Sequence, residues 1–234
     1  MTHNNVDKST IDHFSQQASC WWDPDGPMKT LHQINPLRID FITEHADLDN
    51  KHALDIGCGG GLLTESLAQY AKSAHGIDLS EELIEVAKGH GSGYNNLSYA
   101  HESLSQHLTS QKCYDIITCM ELLEHVPQPQ VLLNDCAKIL NPGGLLFVST
   151  INRHWKAFVL DILMGEHILK LLPKGTHQYE KFIKPSTLCQ WLRKDRLELK
   201  SMMGFNYNPM NKSFYLSQSL DTNYMAVFKN TNNN

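Results

Sequence analysis

The stretch Asp55-Ile56-Gly57-Cys58-Gly59-Gly60-Gly61 constrains this chain more than any other. It follows the short apolar run HALDI and opens the helical pattern LLTESLAQYA. Glycines at a strand-to-helix turn let the backbone bend sharply and let a ligand approach a helix N-terminus unobstructed. Glycine clusters also serve as plain turns, so the loop alone decides little. Asp78 adds weight: it ends the next β-rich run, AHGID, 21 residues after Gly57. An acid there suits the two hydroxyls of a ribose. A dinucleotide G-x-G-x-x-G beginning at Gly57 needs its third glycine at position 62, which is Leu62. A dehydrogenase is therefore disfavoured.

The remaining pattern supports an α/β fold. HALDI, AHGID, LSYA, YDIITC and LLFVST alternate with helical runs, and Ser80 is placed to cap the helix SEELIEVAK. LELKSMM and NYMAVFK add two strands, the last an antiparallel partner. Strands this apolar, without alternation, belong in a mostly parallel sheet buried on both faces. The expectation is a doubly wound, Rossmann-like sheet of seven strands. Residues 1–50 form an N-terminal helical cap or lid, in which Pro36 starts the helix PLRIDFITEHA. Residues 51–234 form the main domain, with an insertion at about 153–190.

Charge and cysteine usage narrow the partners. The net charge of −5 opposes nucleic acid as the main ligand. Residues 153–200 nevertheless hold ten Lys/Arg against five acids, so the remainder of the chain is at −10. Six cysteines without a CxxC pair read as reduced thiols. MTHNNVDKST has no signal-peptide pattern, and AFVLDILMGEHILKLL is broken by Asp161, Glu166 and His167. A cytoplasmic protein is expected. The segment KAFVLDILMGEHILKLLPKG, apolar on one face and flanked by lysines, suits either peripheral docking on an anionic membrane or a helical lid on its own domain.

The pattern D-I-G-C-G-G-G with Asp78 resembles class I S-adenosylmethionine-dependent methyltransferases, and YDIITCMELLEHV and ILNPGGLLFVST extend the likeness. Cys119-Met120-Glu121 stands where base amino-methyltransferases carry Asn/Asp-Pro-Pro-aromatic, which disfavours that branch. WWD with LHQINPLR, CMELLEHVPQP, LLPKGTH, KFIKP, YNP and NYM resemble the UbiG family of ubiquinone-biosynthesis O-methyltransferases, from about Val6 to Phe228. Cys20, Pro27 and Met28 depart from the commoner residues beside the tryptophans. The resemblance implies O-methylation of polyprenylated phenols, a 2-polyprenyl-6-hydroxyphenol and 3-demethylubiquinol, and association with other proteins of that synthesis. It places cofactor contacts on Arg38, Gly57, Asp78 and Met120, beside Gly59 and Gly61 of the loop.

A phenol with a pKa near ~10 needs a base or a Lewis acid to react as phenolate at neutral pH. Glu121, Glu124 and His125 are spaced to share one face if a helix begins at MELLEHV. Two carboxylates and an imidazole there could hold Mg²⁺. His125 could instead act directly as the base, with His177 a second candidate. Acids also suit a first helical turn for reasons of dipole alone, so the spacing leaves these roles open. Trp21 and Trp22 are expected to lie over the cofactor cleft, with Arg38 reaching inward.

Overall fold

A computed structural model describes residues 5, 7–153, 181–208 and 210–232. Among these residues, eight strands form one sheet in the order β3-β2-β1-β4-β5-β8-β6-β7. These are β1 His52–Ile56, β2 Ser73–Asp78, β3 Leu97–His101, β4 Tyr114–Met120, β5 Leu140–Ile151, β6 Leu197–Asn208, β7 Ser213–Ser217 and β8 Asn223–Asn230. Strands β1 to β5 run parallel, and β8 pairs antiparallel with both β5 and β6. The sheet thus has one strand more than the seven expected. The addition is β7, SFYLS, which pairs antiparallel with the second half of β6 at the outer edge. Only one side of an edge strand is paired, and β7 has no fully buried residue, so it lacks the apolar run that marks the central strands.

The two-residue period of each strand divides the core in two. Leu54 and Ile56 of β1, Ile117 and Cys119 of β4, and Leu146 and Val148 of β5 face one side. There they meet Leu133 and Cys136 of the helix Pro129–Lys138, and Leu188 and Leu192 of Pro185–Lys194. Ala53, Ile116 and Phe147, the alternating positions, face the other side against helices Lys29–His45 and Leu62–Ala68. Among the described residues the α-helices, in chain order, are α1 Lys8–Ser15, α2 Lys29–His45, α3 Leu62–Ala68, α4 Glu81–His90, α5 Leu104–His107, α6 Pro129–Lys138 and α7 Pro185–Lys194.

Two local expectations are corrected. Pro36 does not start α2; it lies inside a helix that already begins at Lys29. A proline removes one backbone donor, but Ile34, Arg38, Ile39, Phe41 and Ile42 bury one face of α2, and that packing carries the helix through. The second correction concerns MELLEHV. No α-helix begins there: Leu123–His125 is one 3₁₀ turn, and α6 starts only at Pro129. Pro127 and Pro129 both disfavour a continuous helix through this stretch.

The cap sequence is tied to the sheet. Ile34, Ile39, Phe41 and Ile42 of α2 share one apolar cluster with Ala53, Ile116 and Phe147. Ahead of α2, Trp21 and Met28 form a small cluster with Leu83 of α4. Met28, one of the family departures, is thus buried. No described helix is long and apolar enough to cross a membrane. The amphipathic segment KAFVLDILMGEHILKLLPKG and His177 lie outside the described residues.

Candidate active site

The parallel strands deliver their carboxyl ends to one cavity of about 430 Å³, at the edge where open α/β sheets bind ligands. Gly57, Gly59 and Gly61 all take positive φ, at 71°, 54° and 89°. Gly59 needs to be glycine twice over, because a Cβ there would also run into the Trp21 indole. Gly61 is set back from the cavity: it precedes α3 and lies against the Tyr99 hydroxyl. Trp22 donates from Nε1 to the Gly60 carbonyl at 3.0 Å and stacks on His90 at 3.5 Å. The paired tryptophans therefore hold the N-terminal segment against the loop.

Asp78 joins the loop to α4. Its Oδ2 accepts from Gly59 N–H and its Oδ1 from Ser80 N–H, both at 2.9 Å. Burial pushes its carboxyl upward, opposed by these backbone donors. Each oxygen keeps a further lone pair, which suits it to ribose hydroxyls. Behind it, Asp55 is buried and accepts from Thr64 and Thr118 hydroxyls at 2.7 Å each. Burial also raises the Asp55 carboxyl, and the two hydroxyls oppose that rise.

Arg38 projects from the buried face of α2 and is only 6% exposed. Among the described residues its Nε and Nη2 have no hydrogen-bond partner, and Nη2 lies 3.7 Å from Glu121 Oε1. Buried guanidinium donors left unpaired cost about 1–3 kcal/mol each, and their fork is the shape that a carboxylate accepts. With Asp78 and the glycine loop, this donor set fits S-adenosylmethionine: one acid for a ribose, one cation for a carboxylate. Met120 ends β4 at the same cavity and is nearly buried.

Beyond Met120 the chain turns at Glu121, whose φ is 54°. A non-glycine residue there is strained, and its N–H is held by the Ser149 carbonyl and hydroxyl at 3.1 and 2.9 Å. Ser149 Oγ in turn donates to Glu121 Oε1 at 3.1 Å. Glu124 is buried and accepts from the Thr150 hydroxyl at 2.8 Å. Burial, then the neighbouring Glu121 charge, push the Glu124 carboxyl up to about 8. His125 meets the edge of Phe14 from α1, ring centres 5.6 Å apart.

Arg38, Gly57, Gly59, Asp78, Met120, Glu121, Glu124 and His125 all line this one cavity, whereas Gly61 does not. The expected helical face bearing Glu121, Glu124 and His125 is absent, since the segment is a turn. These three do not draw their ligand atoms within 4.8 Å of one another; among the described residues, only His75, Glu102 and His107 do so. The sequence reading gave no role to Ser149, Thr150, Thr118 or Phe14. The hydroxyls in the apolar runs YDIITC and LLFVST are the signal that could have found three of them.

A family model described as a methyltransferase domain matches residues 11–200. A solved magnesium protoporphyrin IX methyltransferase from Synechocystis, with bound S-adenosylhomocysteine, shares the fold. Its TM-score is 0.68 at 18% identity, over 95% of this chain and 98% of that one. Fold and site together define a class I S-adenosylmethionine-dependent methyltransferase. Ubiquinone biosynthesis O-methyltransferases from Coxiella burnetii and Methylococcus capsulatus are 45% and 43% identical to the chain, over 229 and 232 residues. The alignments cover 97% and 98% of this chain and 98% of each relative. The chain belongs to the ubiquinone-biosynthesis O-methyltransferase family.

Proposed function

We propose that this enzyme methylates the phenolic hydroxyls of polyprenylated rings in ubiquinone biosynthesis, with 2-polyprenyl-6-hydroxyphenol and 3-demethylubiquinol as substrates. The observation that carries this reading is the shared cavity. Its cofactor wall, Arg38, Gly57 and Asp78, opens directly onto Glu121, Glu124 and His125, and its lining continues to Phe205, Tyr207 and Phe214. The first set holds a charged cofactor, the second handles a proton, and the aromatic end accommodates an apolar ring or tail.

Bound S-adenosylmethionine supplies an electrophilic methyl on sulfur. Asp78 would accept from its ribose hydroxyls, Arg38 would pair with its methionine carboxylate, and Met120 would pack alongside it. His125 would take the phenol proton on a ring nitrogen and leave the oxygen as phenolate beside the cofactor's methyl. Phe14 holds that ring by its edge, and the nearby tryptophans help exclude water. Glu124 and Glu121 shape the field around His125. A Mg²⁺ ion belongs to the finer part of this proposal. The donor chemistry of Glu121, Glu124 and His125 suits a hard ion that would lower the pKa of adjacent ring oxygens, provided the three side chains draw together.

The test is methylation of short-chain demethylubiquinol with and without EDTA. Methylated product is expected; none under any metal condition would sink the proposal. Full activity in EDTA would remove the ion and leave His125 as base. The finer reading also places the enzyme in the cytoplasm, peripherally on the membrane that holds its substrate and beside other proteins of the same synthesis. The sequence KAFVLDILMGEHILKLLPKG supports it, and flotation with anionic vesicles tests it: loss of binding when Lys170 and Lys174 are neutralised is expected, and no vesicle binding by the parent would refute it.

A further inference from the structure

Outside the methyl-transfer residues, three side chains from three parts of the fold converge beside β2 and β3. His75 comes from β2, Glu102 follows β3, and His107 ends α5, whose first turn is fixed by a capping box on Ser103. His107 Nδ1 lies 2.7 Å from Glu102 Oε1, and His75 Nε2 lies 4.0 Å from the same oxygen. The two rings stack with centres 5.3 Å apart. All three ligand atoms fall within 4.8 Å of one another.

The outer nitrogen of each ring is occupied. His75 Nδ1 bonds Ser98 Oγ at 2.8 Å, and His107 Nε2 bonds the Tyr114 hydroxyl at 2.8 Å. Metal-binding histidines are held in this way, with the second nitrogen oriented by a hydroxyl, carbonyl or carboxylate. When Ser98 accepts from His75 Nδ1–H, the lone pair on Nε2 faces the Glu102 carboxylate. Two electron-rich atoms opposed in this manner are stabilised by a cation.

We propose that His75 Nε2, Glu102 Oε1 and His107 Nδ1 bind one divalent transition-metal ion of the zinc class, with water as fourth ligand. Two imidazoles and one carboxylate suit zinc, whereas magnesium prefers oxygen alone. Tetrahedral zinc places its ligand atoms about 3.4 Å apart. The 2.7 Å contact must therefore open by about 0.7 Å, the 4.0 Å contact close by about 0.6 Å, and the two ring nitrogens settle from a separation within 4.8 Å. The proton on His107 moves from Nδ1 to Nε2, and Tyr114 changes from donor to acceptor while keeping its own proton. Solvent reaches the site beside His75 and Glu102, whose side chains are 18% and 28% exposed, while His107 is buried. Burial, then the His107 and Lys112 charges, disfavour a cation at His75, and Glu102 opposes them.

This site is separate from Glu121, Glu124 and His125, yet it touches the cofactor wall. Glu102 also lines the methyl-transfer cavity, and its N–H donates to the Asp78 carbonyl at 3.1 Å. An ion on its carboxylate would tether that wall to β2 and α5.

The test uses the full chain stripped of metal and desalted. Zinc is measured by equilibrium dialysis, and cobalt substitution by its visible absorption. His75→Ala and Glu102→Gln should each lose one zinc equivalent and the cobalt bands relative to the parent, whereas Glu124→Gln should keep both. Lys112→Met should tighten zinc binding about 2- to 5-fold. His107 is left intact because it is buried. Unchanged stoichiometry in folded His75→Ala or Glu102→Gln, or no zinc bound by the parent, would overturn the proposal. Neither result bears on methyl transfer.

Discussion

Replacing Arg38 by methionine should raise the stability of the free enzyme and weaken its hold on cofactor. The side chain is 6% exposed, and its Nε and Nη2 find no hydrogen-bond partner among the described residues. Each such donor costs about 1–3 kcal/mol, and the Glu121 carboxylate at 3.7 Å offsets only part of that. Methionine keeps much of the volume and removes the charge. Allowing for lost packing, a net gain of about 1–2 kcal/mol is expected, or roughly 2–8 °C in the melting temperature of a protein this size. On the proposed role, the same change removes a charge-assisted pair with the cofactor carboxylate, worth about 2–3 kcal/mol, or roughly 30- to 150-fold in affinity. Calorimetric titration with S-adenosylhomocysteine and thermal unfolding measure the two effects separately. Affinity within threefold of the parent would refute the role of Arg38 as carboxylate anchor. A variant that melts several degrees lower would show that those donors are not a cost in the free state.

Two further substitutions test the site. The Glu124 carboxyl is raised from 4.5 to about 8, so the folded state retains a proton that the unfolded chain releases between those values. Stability contributed by that proton is lost as pH rises across the window; Glu124→Gln should therefore gain in melting temperature over the parent from pH 5 to pH 8, and parallel curves would contradict this. Gly59→Ala meets both a positive φ of 54° and the Trp21 ring, so cofactor binding should fall at least about tenfold. Trp21→Ala in the same chain should recover part of the stability lost, and strictly additive effects would exclude a clash with the indole.

What the sequence disclosed was the chemistry whose residues lie close together along the chain. The glycine loop and Asp78 need only one strand, one turn and the next strand, and each leaves a local mark in hydrophobicity and glycine spacing. Arg38 needed the family likeness, because an arginine on a helix gives no local sign of burial. The Thr64–Asp55–Thr118 network joins residues 9 and 63 positions apart, so it exists only once β1 and β4 pair. Glu121 misled for a related reason. Its spacing to Glu124 and His125 suits a helix, but the Ser149 backbone and hydroxyl hold it in a turn, and Ser149 belongs to a strand 28 residues later. Pro36 reads as a helix start until the buried face of α2 is seen. Strand β7 was lost because half-exposed edge strands resemble loops.

The position of β8 has a consequence for how the protein is made. It is the last strand in chain order, yet it lies inside the sheet, between β5 and β6, with all of Tyr224–Phe228 buried. While the ribosome is still working, β5 therefore offers an open hydrogen-bonding edge beside an uncovered apolar face. Such an edge invites pairing with other nascent chains. The sheet closes only after residue 230 has left the exit tunnel. Losing even the last dozen residues would remove an interior strand, and chaperone protection should matter most in the interval before β8 arrives.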